Sequence, residues 1–371
     1  MFQKLLDRAV PAVVIRVLVY VYEEQKACVK LLDHRSESFG ITNGTRQGSV
    51  LSPALFSVYL DELLKELRQL RVGCHVGGWW YGAACYADDL ILLAPARTAA
   101  VMMLECCERY AKEHNLQFST DPVPEKSKSK CIYFCGKLAR LVKPHPLTLL
   151  GKQLPWVASA DHLGHVLHQS GTMDQDALVK RARFIDKTNG LRESFSFAYP
   201  DQVMRAVQVF ACDGYGSMLY DFTSFSCESL FKSWNTCIKL IWGVPRSTYT
   251  YLVENVLASS FVTLRHQVYG RYVTYFQGLF KSSSKEVRHL ARIVSRDIRS
   301  TTCKNVLLIH ELTGLSPWDY SKRRVQERLR KAQVPDNDEW RPGLLLKLLE
   351  RRRDTDNRVN LDKMIDSLCS T

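Results

Sequence analysis

Two adjacent aspartates, Asp88 and Asp89, stand inside the otherwise apolar stretch CYADDLILLAP. Burying a carboxylate without a partner of opposite charge costs several kcal/mol. Magnesium takes one or two protein carboxylates and completes its shell with water and phosphate oxygens. The pair therefore predicts a Mg²⁺ site beside a nucleotide triphosphate. An Asp-Asp pair alone is more often an exposed hairpin tip, but Ala87 and the apolar residues 90–93 favour the end of a core strand.

A glycine-rich segment, NGTRQGS, lies about forty residues upstream of the aspartates. Gly44 and Gly48 let the backbone approach a base pair without a Cβ clash. Gln47 can hydrogen-bond a base or sugar edge, and Arg46 can contact phosphate. The N-terminus of the helix that follows adds partial positive charge. These residues and the helix end are therefore of the kind that can contact a base pair and its phosphates.

Apolar spacing and turn residues predict the elements that hold these groups. A long helix is predicted, with Ser52 as its cap, Pro53 in its first turn and Gly73 at its end. Residues 76–94 are predicted to form two strands joined by a tight turn near Tyr81 and Gly82. The aspartates would stand at the start of the second strand.

The remaining elements divide the chain into a strand-rich half and a helical half. A helix is predicted over residues 98–114, a strand over 130–134 and a short hairpin over 161–171. After Asp174 the pattern is helical almost throughout. Strands followed by helices indicate an α+β fold.

Charge and cysteine usage restrict the possible partners. The 371 residues carry 51 Lys and Arg against 38 Asp and Glu, a net charge of +13 with a pI near 9.2. Such a balance favours a polyanionic partner, most simply nucleic acid. Twelve cysteines without repeated spacing, no membrane-spanning stretch and no signal peptide predict a reducing location, nuclear or cytoplasmic.

Four blocks of sequence together resemble one family. YADD at residues 86–89 resembles the catalytic signature of reverse transcriptases, and GTRQGSVLSPALFSVYLDEL at 44–63 resembles a second block of the non-LTR (LINE-type) retrotransposon enzymes. LQFSTDPVPEKSKSKCIYF at 116–134 resembles the next block, and HLGHVLHQSG at 162–171 the one after it. Because the four stand in the family's order, the chain is identified as a member of this family.

The resemblance implies a right-hand polymerase that performs RNA-directed DNA synthesis by Mg²⁺-dependent nucleotidyl transfer. Residues 1–171 would form part of a palm, 172–250 a helical thumb, and 251–371 a basic helical C-terminal region. The implied partners are an RNA template, a DNA primer and deoxynucleotides.

The family's functional positions can be carried onto this sequence. Asp88 and Asp89 would be the catalytic, metal-binding pair, and Leu163 and Gly164 would contact the primer. The positions implied for nucleotide binding are Arg46, Gln47, Gly48 and Lys128.

One part of the family's pattern is missing. The enzymes carry a further aspartate upstream, in a phrase like KAFD, and this sequence has none. Asp7 lies in a helical stretch and does not replace it. The chain therefore resembles an N-terminally truncated copy, expected to be inactive alone. The alternatives are a non-catalytic nucleic-acid-binding remnant and a helical scaffold with fortuitous motifs.

Three histidines, His162, His165 and His168, are candidate metal ligands. On one strand His162 and His168 would share a face that His165 opposes, which is poor zinc geometry. Structural roles are predicted for them.

Overall fold

The computed structural model describes residues 2–41, 48–121, 123, 126–134, 144–249, 261–315, 324, 327 and 328. The chain divides into two compact units. The first consists of Met1–Cys131 and Lys143–Trp156, and the second of Ile132–Val142 and Val157–Thr371. Helices and short antiparallel strands both occur, which agrees with the predicted α+β class. In the described ranges, no helix has the length and apolarity needed to span a membrane.

The first unit is built from helices and two-stranded hairpins. Its helices are α1 (Phe2–Leu6), α2 (Ala12–Glu23), α3 (Ser52–Gln69) and α4 (Arg97–Glu113). Its strands are β1 (Lys26–Ala27), β2 (Lys30–Leu31), β3 (His34–Arg35), β4 (Phe39–Gly40), β5 (His75–Val76), β6 (Trp79–Trp80), β7 (Ala83–Tyr86), β8 (Asp89–Leu92), β9 (Leu147–Leu149) and β10 (Lys152–Leu154). The antiparallel pairs are β1 with β4, β2 with β3, β5 with β6, β7 with β8, and β9 with β10.

The core of the first unit lies between α3 and α4. Leu63 and Leu67 of α3 pack with Met103 and Tyr110 of α4, and all four are buried. Residues four positions apart lie on one face of a helix, so the apolar residues of α3 form one face that packs against the apolar face of α4. The start of α3 was predicted to within one residue: Pro53 lies in its first turn as expected, but Ser52 is already helical and Leu51 holds the cap position predicted for Ser52.

The end of α3 was predicted wrongly. The helix finishes at Gln69, and the chain leaves it through Arg71, whose φ is 55°. The predicted stop, Gly73, lies in the connection to β5. The left-handed residue that ends a helix is usually glycine, so an arginine in this role gave no signal in the sequence.

The tight turn predicted near Tyr81 and Gly82 was also misplaced. These residues connect two hairpins, β5–β6 and β7–β8, and the turn lies at Ala87 and Asp88. The strand predicted over residues 130–134 is limited to a single bridge between Cys131 and Trp156.

The second unit begins with a hairpin and continues as helices. The hairpin consists of β11 (Ser159–His162) and β12 (His165–His168). It overlaps the predicted range of residues 161–171 but begins two residues earlier, at Ser159. The helices of its described part are α5 (Asp174–Ser194), α6 (Pro200–Ala206), a π-helical segment (Val207–Ala211), a 3-10 turn (Ser217–Leu219), α7 (Phe225–Ile241), α8 (Leu264–Lys281), α9 (Lys285–Arg296) and α10 (Thr301–Thr313). The predicted start of helical structure at Asp174 is confirmed.

Hydroxyl caps define where four of these helices begin. Ser224, Thr263, Ser284 and Ser300 each accept a hydrogen bond from a backbone N–H in the first turn of α7, α8, α9 and α10, respectively. Such a cap satisfies a donor that has no partner inside the helix. The aromatic core of the unit includes Phe222, Trp234, Tyr269 and Tyr272.

Candidate metal and primer-contact sites

The aspartate pair lies at the tip of the β7–β8 hairpin, called here the aspartate hairpin. Tyr86 pairs with Asp89, so Ala87 and Asp88 form a two-residue turn. Ala87 has a φ of 51°, a left-handed conformation that costs an alanine about 1–2 kcal/mol. Both aspartates are exposed. The strained turn thus holds two carboxylates at an open tip.

The two faces of the aspartate hairpin differ in character. Leu90 and Leu92 pack against the core between α3 and α4. Side chains alternate between faces along a strand, so Asp89 and its partner Tyr86 lie on the face away from that core. The carboxylate of Asp89 therefore lies on the side of the hairpin that faces away from helices α3 and α4.

The base of the aspartate hairpin is closely packed. A Cβ atom built on Gly82 would lie 2.6 Å from Nε1 of Trp80, and one built on Gly73 would lie 2.8 Å from the Cα atom of Gly82. The Trp80 indole donates a hydrogen bond of 2.6 Å to the carbonyl of Val72. The backbone N–H of Leu93 donates to the carbonyl of Gly82 over 2.6 Å. The hairpin is thereby anchored at its base while its tip stays open.

The negative charge at the tip acts on a neighbouring thiol. The Cys85 thiol donates a hydrogen bond of 3.2 Å to the carbonyl of Ala87. Burial, and then the negative charges of Asp88 and Asp89, raise the pKa of Cys85. In the described part of the chain, neither aspartate forms an ion pair with a cationic side chain.

A hard cation suits this donor set in part. Carboxylate oxygens are the protein ligands that Mg²⁺ takes, and the tip presents two exposed carboxylates. Across the described residues, however, no group of three or more His, Cys, Asp or Glu side chains is arranged to hold a metal ion. The hairpin can supply part of a coordination shell.

The predicted nucleotide-binding positions are described only in part, since Arg46 and Gln47 lie outside the described residues. Gly48 precedes α3 with a φ of 80°, and no atom lies within 4 Å of where its Cβ would stand. Lys128 is exposed. Its loop is fixed by Ser127, whose hydroxyl donates to the carbonyl of Ser129 over 2.6 Å.

Leu163 and Gly164, the predicted primer contacts, form the turn of the β11–β12 hairpin, called here the histidine hairpin. His162 pairs with His165, so Leu163 and Gly164 are the two turn residues, and both are left-handed with φ of 48° and 76°. Positive φ at both positions is typical of the type I′ turn. A Cβ atom on Gly164 would lie 3.3 Å from Cε1 of Tyr215.

The face assignment of the three histidines needs correction. His162 and His165 are paired across the histidine hairpin and therefore share a face, while His168 pairs with Ser159. The error came from reading the three positions along one continuous strand, although a turn separates the first from the others. His165 is buried, and His168 bonds to Ser170 over 2.9 Å.

A polar network beside the histidine hairpin was missed at the level of sequence. The Asp176 carboxylate, with 1% of its surface exposed, accepts hydrogen bonds from Tyr220 and from the backbone of Val166, and it contacts Nδ1 of His165 at 3.2 Å. Asp176 stands in the first turn of α5, where an acid is commonly placed for the helix dipole. Its partners lie up to 44 positions away in the sequence, which no local pattern reveals.

Comparison with known proteins gives a matching family model and two relatives of this chain. Residues 2–165 match the sequence model of the family described as reverse transcriptase (RNA-dependent DNA polymerase). The retrovirus-related Pol polyprotein from type-1 retrotransposable element R2 of Nasonia vitripennis is 28% identical over 159 residues, which cover 42% of this chain and 15% of that protein. The Pol polyprotein from type-2 retrotransposable element R2DM of Drosophila melanogaster is 40% identical over 70 residues, which cover 19% of this chain and 6% of that protein.

The chain spans a small part of these relatives, and its matching segment contains the aspartate hairpin and the turn of Leu163 and Gly164. Residues 2–165 therefore carry a reverse transcriptase domain, and the chain is in part homologous to the Pol polyproteins of R2 non-LTR retrotransposable elements.

Proposed function

We propose that the aspartate hairpin is the metal-binding element of an RNA-directed DNA polymerase. The observation that carries the proposal is the exposed Asp88 and Asp89 pair, held at a strained turn within a reverse transcriptase domain. When bound there, Mg²⁺ would activate the attacking oxygen of a primer and stabilise the leaving group of a deoxynucleotide. The chain's own contribution is to hold two carboxylates apart from the apolar core.

The other site residues receive roles in the same reaction. Gly48, whose Cβ side is open, would let the backbone approach the incoming base pair. Arg46 and Gln47 beside it, and Lys128 in its exposed loop, would contact the phosphates and the sugar or base edge. Leu163 and Gly164 would contact the primer strand, because the turn brings backbone and side chain to the tip of a hairpin.

The template–primer is proposed to bind through charge more than through base contacts. The net charge of +13 supports this. Each phosphate contact contributes about 0.9 to the slope of log affinity against log salt on duplex DNA. We expect binding with little sequence preference that weakens steeply as the salt concentration rises. An affinity for nucleic acid that does not change with salt concentration would contradict this part of the proposal.

Residues 1–171 would then act as part of the palm, 172–250 as the thumb and 251–371 as a basic C-terminal region. The cysteines in the described part of the chain are all free thiols. Free thiols persist in reducing compartments, which supports a place of action in the nucleus or the cytoplasm.

Primer extension by the polypeptide of residues 1–371 is proposed to be very weak. Two-metal chemistry needs carboxylates that fix both ions, and Mg²⁺ demands near-octahedral geometry. The aspartate hairpin supplies only two adjacent carboxylates from one strand end. Misplacing reacting groups by about 1 Å already costs on the order of a hundredfold in rate. That the hairpin supplies only two adjacent carboxylates also favours the second candidate function, a non-catalytic nucleic-acid binder.

A primer-extension assay beside an Asp88→Ala control tests the proposal. With Mg²⁺, deoxynucleotides and a DNA primer on an RNA template, we expect binding by both chains and no meaningful extension by either. Extension by the native chain that the Asp88→Ala chain lacks would assign the metal site to the hairpin and refute the argument for weak activity. A further carboxylate, Asp7 first among the candidates, would then have to complete the site. Equal extension by both chains would overturn the role of Asp88.

A further inference from the structure

The Asp176 carboxylate is the centre of a buried polar network in the second unit. One oxygen accepts from the backbone N–H of Val166 over 3.0 Å, and the other accepts from the Tyr220 hydroxyl over 2.9 Å and contacts Nδ1 of His165 at 3.2 Å. Burial, and then the negative charge of Asp176, raise the pKa of Tyr220. The hydroxyl therefore keeps the proton that it donates. Two of the three partners, Val166 and His165, belong to β12, directly after the turn of Leu163 and Gly164.

The imidazole of His165 occupies a space that exists because residue 216 is a glycine. A Cβ atom on Gly216 would lie 1.5 Å from Cε1 of His165, so only glycine leaves room for the ring. On its flat side the ring stacks on Tyr215, with centroids 5.1 Å apart and an interplanar angle of 12°. Gly216 has a φ of 75°, which independently favours glycine.

Tyr215 connects this network to the turn itself. Its ring lies 3.3 Å from where a Cβ atom of Gly164 would be. Nζ of the buried Lys180 lies 5.6 Å from the centre of the same ring and 3.9 Å from the Asp213 carboxylate. The ring is therefore held by His165 and Lys180 while it supports the turn.

A type I′ turn with a leucine at its first position needs such support, because a left-handed leucine costs about 1–2 kcal/mol. Conformations of this kind persist only where the surrounding structure determines them, and they cluster at sites that bind ligands. Here the determining contacts come from α5, from the loop around Gly216 and from Tyr220, all outside the hairpin. The network thus serves the conformation of Leu163 and Gly164 in addition to the stability of the unit.

We infer that Asp176, His165 and Tyr220 form a positioning lock that holds the Leu163 and Gly164 turn in the conformation that contacts the primer terminus. This inference rests on the proposed primer contact and adds residues to it. Tyr215 transmits the lock to the turn. The three lock residues touch neither primer nor nucleotide, and they act through the turn.

The test compares two buried tyrosine hydroxyls of the same unit. Tyr220→Phe removes the donor to Asp176, whereas Tyr272→Phe removes a hydroxyl that donates to the carbonyl of Thr302 over 2.8 Å. Affinity is measured for an RNA–DNA hybrid with a recessed DNA 3′ end and for a hybrid of equal length with blunt ends. The ratio of the two affinities reports the contact with the primer terminus, and a general loss of folded protein lowers both affinities together.

We expect the native chain to prefer the recessed end. Tyr220→Phe should lower the ratio by about fivefold, the typical effect of one hydrogen bond, and Tyr272→Phe should leave it unchanged. Leu163→Ala, which alters the contact itself, should also lower it. If Tyr220→Phe does not fold, Tyr215→Leu replaces it, because that ring is half exposed and its loss should lower the ratio in the same way.

The outcomes separate the lock from the primer contact. A ratio lowered by Leu163→Ala but not by Tyr220→Phe or Tyr215→Leu overturns the lock and leaves the contact standing. Equal losses in Tyr220→Phe and Tyr272→Phe likewise overturn the lock. A native chain without preference, or a Leu163→Ala chain with the native ratio, overturns the primer contact and the lock with it.

Discussion

The aspartate hairpin and the histidine hairpin have the same backbone plan and opposite surroundings. Each consists of two four-residue strands joined by a two-residue turn whose first residue is left-handed and is not glycine. Beside the turn of the histidine hairpin, a buried carboxylate accepts two hydrogen bonds and contacts a buried imidazole. At the turn of the aspartate hairpin, two carboxylates are exposed.

The two hairpins are therefore held in place by different kinds of contact. The histidine hairpin is ordered by contacts within its own unit, because the Asp176 carboxylate accepts hydrogen bonds from Val166 and Tyr220 and contacts His165. The aspartate hairpin is fixed at its base by Trp80 and Gly82, and no cationic side chain among the described residues pairs with the carboxylates of its tip. The tip of the aspartate hairpin is therefore suited to bind an external cation. The tip of the histidine hairpin is suited to hold a fixed shape that a ligand recognises.

The largest effect should follow from Gly216→Ala, which places a methyl group in the position of the His165 ring. The added strain combines overpacking with a left-handed alanine, so we expect a loss of about 3 kcal/mol or more in the free energy of unfolding. Urea unfolding measures it.

Gly171→Ala is the matched control for that substitution. Gly171 has a φ of 71°, close to that of Gly216, but no atom lies within 4 Å of its Cβ position. This variant isolates the cost of the left-handed backbone, about 1 kcal/mol. Equal losses in the two variants would mean that the His165 ring is not fixed against Gly216.

Gly82→Ala should have a smaller effect, at the base of the aspartate hairpin. The new methyl group would meet the Trp80 ring at 2.6 Å. Overpacking of this kind costs about 1–3 kcal/mol, and thermal unfolding followed by tryptophan fluorescence should show both the loss and a changed indole environment. A variant with native stability and native fluorescence would contradict the anchoring role of Trp80.

Gly82 also shows why one prediction from sequence failed. A glycine between short apolar runs indicates a turn, but here it lets an indole approach the backbone. The true turn uses Ala87, a residue that carries no turn signal. In contrast, the start of α3 and the histidine hairpin follow local patterns and were predicted to within one or two residues.

The lock of Asp176, His165 and Tyr220 lay beyond prediction for a different reason. Its members come from β12, from α5 and from the segment before α7, and only packing brings them together. Asp88 and Asp89 were proposed as site residues from the sequence alone, because adjacent charges in an apolar run stand out without any knowledge of the fold, and their role stays a prediction. Local chemistry was therefore visible in the sequence, and the network that supports a turn was not.

The smallest effect on stability should come from replacing Asp88 and Asp89 with asparagines. Both are exposed, so the free energy of unfolding should change by no more than about 0.5 kcal/mol. The Cys85 thiol should respond more clearly, because its pKa is raised by burial and then by these two charges. Removing the charges lowers that pKa, increases the thiolate fraction at a fixed pH of about 8 and speeds alkylation.

Mass spectrometry after timed alkylation measures this rate, and Cys74 in the same unit serves as the internal control. Its rate should be the same in both chains. An unchanged Cys85 rate would show that the two carboxylates do not act on the thiol as the hairpin geometry requires.

The central claim is that the open tip of the aspartate hairpin binds a divalent cation. Electron paramagnetic resonance of free Mn²⁺, used as a stand-in for Mg²⁺, tests it during titration of three chains: native, Asp88→Asn with Asp89→Asn, and Glu23→Gln with Glu24→Gln. The last pair removes two adjacent exposed carboxylates from the end of α2 and so matches the change in charge. We predict weak binding that the native chain and the glutamate variant share and that the aspartate variant loses. Equal Mn²⁺ binding by all three chains would contradict the claim.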